Sequence, residues 1–553
     1  MRFTAAALLA VAASLHSVNA ANADEWRSRS IYQLLTDRFA PPSADAPART
    51  NPVPETCDPV AQTWCGGTWL SIIDKLDYLQ GMGIDAIWIS PVHQNIDVHT
   101  PYNYAYHGYW VNDVTKLNAR FGSEEDLVTL ITELHKRNMY IMIDIAINSI
   151  PTLNQNDSLS SESLAADNSM WTDPAYFHKQ CWIDYSNQTS CEYCWFGDAN
   201  LPLMDVNTEN PYVISTLNSF IKDFVTKYNI DGLRLDAGKH IPGQFWSGFT
   251  QSAGVFTTGE VYDGSWQFTS SYQNQGWMDS VLGFPMNGAI SKAFSIKPKN
   301  SNMTDFGVAV GQALSSYNNP RVIGNFLENH DMARFRNITA DPVLAYNAMV
   351  AQFMIEGIPV TYYGQEQDLA NGHDDPYNRA ALWPTNYENG TTYQRIARLN
   401  LIRKQLITSG LQFNGKSYMD DNSTAIGVTQ NDIAFRKGPI IYTLNNRGSP
   451  EENTSFGINA TGWPSQTALI DLLSCQQYIT GAGGSLSISY AQPGYGGLPY
   501  IFATAGDAKA LGICVKATQV GVLAPNSTSA ALPSSPMSVG LMGAAALLTA
   551  SLF

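Results

Sequence analysis

Short apolar runs recur through the first two thirds of the chain. They are IYQLLTDRF from Ile31, IDAIWISPV from Ile84, MYIMIDIAIN from Met139, IDGLRLDAG from Ile230, GVFTTGEVY from Gly254, VIGNFLENHD from Val322 and IPVTYYGQEQ from Ile358. Their apolar residues are consecutive rather than alternating, the pattern of strands covered on both faces in a parallel sheet. Amphipathic stretches lie between them. One of these, SEEDLVTLITELHKRN at 123–138, opens on Ser123 with acidic residues in its first turn, which predicts a capped helix. Strand and helix alternate to about residue 405, which predicts an α/β fold, a (β/α)8 TIM barrel, rather than a two-layer α+β arrangement. The span exceeds the ~250 residues of a plain barrel, so insertions are required.

The clearest insertion, 149–204, is rich in Asn, Ser and Asp, holds three cysteines and follows the third strand. It divides the expected barrel into 21–148 and 205–405. Beyond residue 405 the helical pattern gives way to short strand-like segments such as TAIGVTQNDIAFRKGPIIYTLNN, which predict a C-terminal antiparallel β-sandwich over 406–515. A Ser/Ala/Pro-rich stalk over 516–536 follows. No internal repeat is present.

The formal net charge is −16, so no cationic surface exists to displace phosphate counterions, and a nucleic-acid partner is excluded. Both ends carry processing patterns. Arg2, an apolar run and Val18-Asn19-Ala20 read as a signal peptide over 1–20. Small residues near Asn526–Thr528, a polar spacer and an apolar tail over 537–553 follow the order of a GPI-anchor signal. The alternative is a retained transmembrane helix, but the tail is short, Gly- and Ala-rich, and has no Lys or Arg after it. The expected location is the outer face of the cell membrane or the cell wall.

An oxidising route agrees with seven cysteines and with nine Asn-x-Ser/Thr sequons, at Asn156, Asn187, Asn302, Asn337, Asn389, Asn422, Asn453, Asn459 and Asn526. Cys57 with Cys65, Cys181 with Cys194, and Cys475 with Cys514 are the expected disulfides, leaving Cys191 as the odd thiol. A Cys-x-x-Cys zinc or redox reading of Cys191 and Cys194 lacks a second Cys/His pair.

In a barrel of this kind, polar groups at the C-terminal ends of the strands gather on one face. Here those ends carry Asp144 and Asn148, Arg234 and Asp236, Glu260, and His330 with Asp331. Any one acid alone reads as the N-cap of the helix after its strand. Together they suit glycoside hydrolysis, in which one carboxylate attacks the anomeric carbon and another protonates the leaving oxygen.

The segments DIAIN (144–148), GLRLDAGKH (232–240), GEV (259–261) and FLENHD (326–331) occur in that order, with AYHGYW (105–110), GQEQ (364–367) and DPYNRAALW (375–383). On these the chain resembles the α-amylase family, glycoside hydrolase family 13, and most closely the secreted fungal members, over about 24–515. The resemblance implies Asp236 as nucleophile, Glu260 as general acid/base and Asp331 as transition-state stabiliser. It implies substrate contacts from Arg234, His330, Tyr109, His107, Trp110, Lys239, His240, Asp375 and Arg379. It also implies a structural calcium on the side chains of Asn148, Glu192 and Asp205 and the carbonyl of His240, where the other reading is of solvated loop residues. The expected protein is a monomer acting on α-1,4-glucan or malto-oligosaccharide.

Ser149 departs from the family pattern, which has histidine there touching the 6-hydroxyl of the glucose at the cleavage point. With the anchor signal and no recognised starch-binding module, this resembles the fungal GPI-anchored group linked to cell-wall α-glucan. The reading therefore leans from hydrolysis toward 4-α-glucanotransfer. A different class, a catalytically retired wall-glucan-binding protein, would be marked by loss of catalytic carboxylates, and all three are present.

Overall fold

The computed structural model describes residues 21–41, 57–153, 164, 170–295, 302–449, 454–490 and 496–518. The signal peptide, most of the stalk, the apolar tail, and the sequons at Asn156, Asn453 and Asn526 lie outside them. No helix among the described residues is long and apolar enough to cross a membrane.

Eight parallel strands form the barrel: β1 (Ile31–Leu34), β2 (Ala86–Ile89), β3 (Tyr140–Ile145), β4 (Gly232–Leu235), β5 (Phe256–Gly259), β6 (Ser280–Val281), β7 (Gly324–Asn325) and β8 (Ile358–Tyr362). β8 pairs with both β1 and β7, and a bridge between Leu282 and Gly324 closes the ring between β6 and β7. Seven of the strands are the seven apolar runs. β6 is the one the pattern missed: its two residues, like those of β7, are too few to show a period, and no run around it stands out as VIGNFLENHD does around β7. The helix Glu124–Lys136 has the expected cap: Ser123 Oγ accepts from Asp126 N–H, and the Asp126 carboxylate accepts from Ser123 N–H.

The strand residues divide by parity. Tyr32, Leu34, Ile87, Ile89, Ile141, Ile143, Leu233 and Leu235 belong to the large core shared with the surrounding helices. Ile31, Ala86, Trp88, Met142, Phe256, Ile358 and Val360 form a separate cluster inside the barrel. Trp26 belongs to that inner cluster, stacks on Phe256 at 5.3 Å and donates its indole N–H to the Asp231 carbonyl. A Cβ on Gly232 would lie 2.7 Å from the Trp26 ring, so the indole fits only because β4 begins with glycine. Toward the C-terminal ends the same inward register carries Gln33, Asp144 and Arg234, all buried. The strands are thus not uniformly apolar. Their inner face changes from hydrocarbon to charge at the end where the loops leave.

The insertion after β3 contains an antiparallel three-stranded sheet of Ser149–Pro151, Leu201–Asp205 and Phe196–Asp198, with Ser149 opposite Asp205. Disulfide Cys181–Cys194 closes its outer loop. Cys57–Cys65 and Cys475–Cys514 form the other two bridges, and Cys191 is a buried free thiol.

The C-terminal part is built on a six-stranded antiparallel sheet. Ile433, Phe435, Ile440, Tyr442, Leu444 and Ile501 share the barrel's core, while Ala434, Ile441 and Phe502 pack with Phe456, Ile458, Leu486 and Ile488 of a two-stranded ribbon. The period-two alternation therefore gives this sheet two apolar faces, one against the barrel and one inside the sandwich.

Candidate active site

Arg234 organises the barrel mouth. Its side chain is 1% exposed, and one Nη atom donates to Asp144 Oδ1 at 2.8 Å and to Asp236 Oδ1 at 2.5 Å. The other lies 2.9 Å from Glu260 Oε2. β3, β4 and β5 pair in register, Asp144 beside Arg234 and Arg234 beside Thr258, so adjacent strands deliver the three carboxylates to one guanidinium. Ala237, just after Asp236, is left-handed at φ 50, and its N–H donates to Glu260 Oε2 at 2.9 Å. The strained turn holds the two catalytic candidates in register.

Asp144 faces no solvent. It accepts from Arg234, from the Tyr109 hydroxyl at 2.8 Å and from the Trp88 indole at 3.0 Å. Asp236 and Glu260 open to the cleft, with side chains 20% and 13% exposed. One cation against three carboxylates leaves two negative charges in excess when all are ionised. Burial therefore pushes Asp236 well above the usual carboxylate range, Arg234 pulls it back, and Glu260 and Asp144 push it up again. Burial also raises Asp144, against the guanidinium and the hydroxyl and indole donors. Asp236 and Asp144 therefore hold protons to higher pH than isolated acids would.

A second cluster faces the first. Asp331 lies between His330 Nε2 at 3.0 Å and an Arg379 Nη at 3.1 Å, and Arg379 also pairs with Asp375 at 3.0 Å. Burial, with Arg234 and Arg379 nearby, holds His330 well below its usual range, so the ring is neutral. Its Nδ1 accepts from the Gln33 amide at 2.8 Å, which leaves Nε2–H for Asp331. Tyr109 joins the clusters, with its hydroxyl on Asp144 and its ring stacked on His330 at 4.9 Å and 5°. His107 accepts the Tyr109 N–H on Nδ1 and meets Trp110 edge-on at 4.8 Å.

The two clusters enclose a cleft of about 650 Å³. Every residue of the expected catalytic and substrate-binding set lines it except Arg234, which lies beneath. Sequence reasoning missed Gln33, Trp88 and the cleft-lining rings Tyr185, Phe196 and Tyr262. The first two sit inside ordinary apolar runs, and nothing in the local pattern marks the last three. Ser149 lines the cleft too, so the residue that departs from the family pattern faces any ligand bound there.

The expected metal ligands fall into two neighbouring pairs. Asn148 and Asp205 are joined where Val206 N–H donates to the Asn148 carbonyl at 2.9 Å. Asn148 Oδ1 and Asp205 Oδ1 are buried without a donor, as oxygens awaiting a hard cation would be. Glu192 and His240 are tied by Gln188, whose amide donates to Glu192 Oε1 at 2.9 Å and to the adjacent Lys239 carbonyl at 2.7 Å. The His240 ring spends Nδ1–H on the Cys191 carbonyl, consistent with its carbonyl rather than its ring serving as ligand. His178 was not foreseen. Burial opposes its charge, but Asp205 and Glu209 on its two nitrogens raise it to about 9. Among the described residues, no group of three or more His, Cys, Asp or Glu side chains forms a metal site by itself.

Comparison with known proteins agrees over both halves. The family described as "Alpha amylase, catalytic domain" matches residues 33–401, and "Alpha-amylase, domain C" matches 425–521. Alpha-amylase 2 of Schizosaccharomyces pombe is 39% identical over 473 residues, covering 84% of this chain and 78% of that one. Alpha-amylase 1 of Schwanniomyces occidentalis is 37% identical, covering 89% and 92%. The solved structure of an α-amylase from Malbranchea cinnamomea superposes with a TM-score of 0.80 at 37% identity, covering 89% of this chain and 100% of that one.

The charge excess at Arg234 makes a testable cost. A buried acid whose folded pKa is raised favours the folded state only while it is protonated. That advantage is lost as pH climbs from the unfolded value, ~3.9, through the folded one. Asp236→Asn is therefore expected to melt at a higher temperature than the parent at neutral pH, with the gain shrinking as pH falls toward 4. Calorimetric scans across that range measure it. A lower melting temperature at pH 7 contradicts the account.

Proposed function

Since the chain belongs to the α-amylase family of glycoside hydrolases, which act on α-glucans, we propose that it cleaves α-1,4-glucan with retention and passes the glycosyl unit chiefly to a second glucan chain at the outer cell surface. Asp236 Oδ1 is held by Arg234, so the other oxygen attacks the anomeric carbon. Glu260 spends Oε2 on Arg234 and the Ala237 N–H, leaving Oε1 to deliver a proton to the departing 4-oxygen. Asp144, buried beneath its three donors and absent from the cleft lining, does not reach the departing oxygen. Two carboxylates on one guanidinium suit the ~5–5.5 Å separation of retaining enzymes better than the wider gap that admits a water. Asp331, braced by His330 and Arg379, accepts hydrogen bonds from the sugar hydroxyls as the ring flattens. In the second step Glu260, now a carboxylate, takes the acceptor's proton as its oxygen displaces Asp236.

Whether that acceptor is water or sugar is where Ser149 carries the reading. It lines the cleft, and its short hydroxyl replaces the imidazole of the family pattern. Tyr185 and Tyr262 line the same cleft and are 67% and 47% exposed, with Tyr262 stacked on Phe284 at 4.5 Å. Such rings suit an incoming sugar's apolar face. The anchor signal supports the surface location and a role in cell-wall α-glucan. A structural calcium would be held by Asn148, Glu192, Asp205 and the His240 carbonyl. It would staple the insertion to the barrel, and no catalytic step runs through it.

Maltopentaose tests the reaction. Early products longer than five units are expected, and shorter products alone, with matching new reducing ends, sink the transfer reading. Ser149→His is expected to raise hydrolysis relative to transfer by roughly tenfold, the worth of one restored hydrogen bond. An unchanged product ratio removes Ser149 as the cause. Calcium at a hundredfold over its Kd is expected to stabilise by about 2.7 kcal/mol, read as a melting shift that chelator reverses and Asp205→Asn abolishes. No shift in the parent ends the calcium assignment.

A further inference from the structure

The insertion's sheet has two faces, and only one belongs to the catalytic cleft. Phe196 and Leu203, opposite one another in its register, line that cleft. The preceding residue, Trp195, faces a separate groove of about 1030 Å³. Its floor is rigid. Trp182 bridges Trp195, disulfide Cys181–Cys194 closes the same rungs, and the Trp195 indole donates to the His178 carbonyl at 3.0 Å. Trp182 is nevertheless 43% exposed, an indole face offered to solvent on a fixed support. Beside the groove, Tyr176 stacks on Tyr212 at 5.0 Å and 19°, and Tyr212 is 54% exposed. Two hydrogen bonds lock this ring pair to the groove wall: Asn207 N–H to the Tyr176 carbonyl, and the Asn210 amide to the Ala175 carbonyl.

From these features we infer a second α-glucan-binding site on the outer face of the insertion, distinct from the cleft, in which Trp182 and Tyr212 stack on sugar rings and Lys179, Gln180 and Asn207 bond their hydroxyls. This rests on α-glucan being the substrate. Ligand chemistry follows from the lining. Flat rings alternate with amide and ammonium groups, which suits a polyol having one apolar face per unit. The neighbouring charges, Lys179 and the His178 cation against Asp173, Asp205 and Glu209, give no cationic field for a polyanion, and the whole chain is acidic. The glucan is a polymer, so a chain held here stays near the cleft on the other side of the same sheet, and the second encounter becomes intramolecular.

The test uses full-length protein carrying Glu260→Gln, so that binding is read without turnover, in native gels containing amylopectin. The parent is expected to be retarded, with Trp182→Ala weakening the retardation about fivefold, Tyr212→Ala weakening it less, and Trp182→Phe largely restoring it. With Glu260 intact, Trp182→Ala is expected to leave kcat/KM for maltopentaose unchanged while KM for amylopectin rises by a similar factor. Unaltered retardation in the Trp182→Ala/Tyr212→Ala double variant overturns the site. So does a self-association of the parent, seen by light scattering, that Trp182→Ala dissolves, because the rings would then serve a protein interface. Failure of the functional reading looks different, since the protein with Glu260 intact would not turn over maltopentaose at all.

Discussion

Arg234 sets the terms for everything at the barrel mouth. A guanidinium has a fixed fork of donors and cannot lose its proton inside a protein, so it is a charge the fold must neutralise. Here it is neutralised more than once over. Asp144 faces it from β3, Asp236 follows it by two residues just past the end of β4, and Glu260 reaches it from just past the end of β5. The surplus of acid is a cost in folding and a resource in chemistry, because a cluster that must hold a proton is a cluster that can deliver one. Buried polar networks of this kind are costly unless their donors and acceptors are matched, and most here are, with Arg234 Nε and Gln33 Oε1 left without a partner. Tyr109 and Trp88 fill Asp144, Ala237 takes a strained turn to reach Glu260, and Gln33 fixes His330 from beneath.

The barrel was legible because its strands are buried on both sides and so appear as unbroken apolar runs. β6 was not, because its two residues carry no period and, unlike β7, it is not marked by a run such as VIGNFLENHD. The catalytic candidates were legible as polar residues ending apolar runs, a violation of pattern that only a shared barrel face resolves. Gln33 and Trp88 were invisible for the opposite reason. Each occupies an inward position where the strand continues, and their partners lie 297 and 56 residues away in sequence. The aromatic groups of the insertion were hidden differently again. Trp182 and Tyr212 look like core residues in a sequence, and only the fold shows that their faces are left outside.

The insertion does more than decorate the third strand. Ser149 and Asp205 are opposite each other in its sheet, so one pairing connects the departure from the family pattern in the cleft with the oxygens expected to hold calcium. His178 extends the connection outward through Asp205 to Glu209, next to the groove. Cleft, cation site and outer groove therefore share one small sheet, and a change in its register would be felt at all three.

The indole that plugs the barrel floor has a consequence for how the chain is made. Trp26 leaves the ribosome among the first described residues, yet its hydrogen-bond acceptor Asp231 is 205 residues further on, and the ring on which it stacks, Phe256, comes later still. The segment must wait, exposed, while more than half the barrel is synthesised, because contacts so distant in sequence cannot form earlier. A residue translated well before its partners is among the last to find its place, and closure of the barrel floor becomes a late checkpoint in folding.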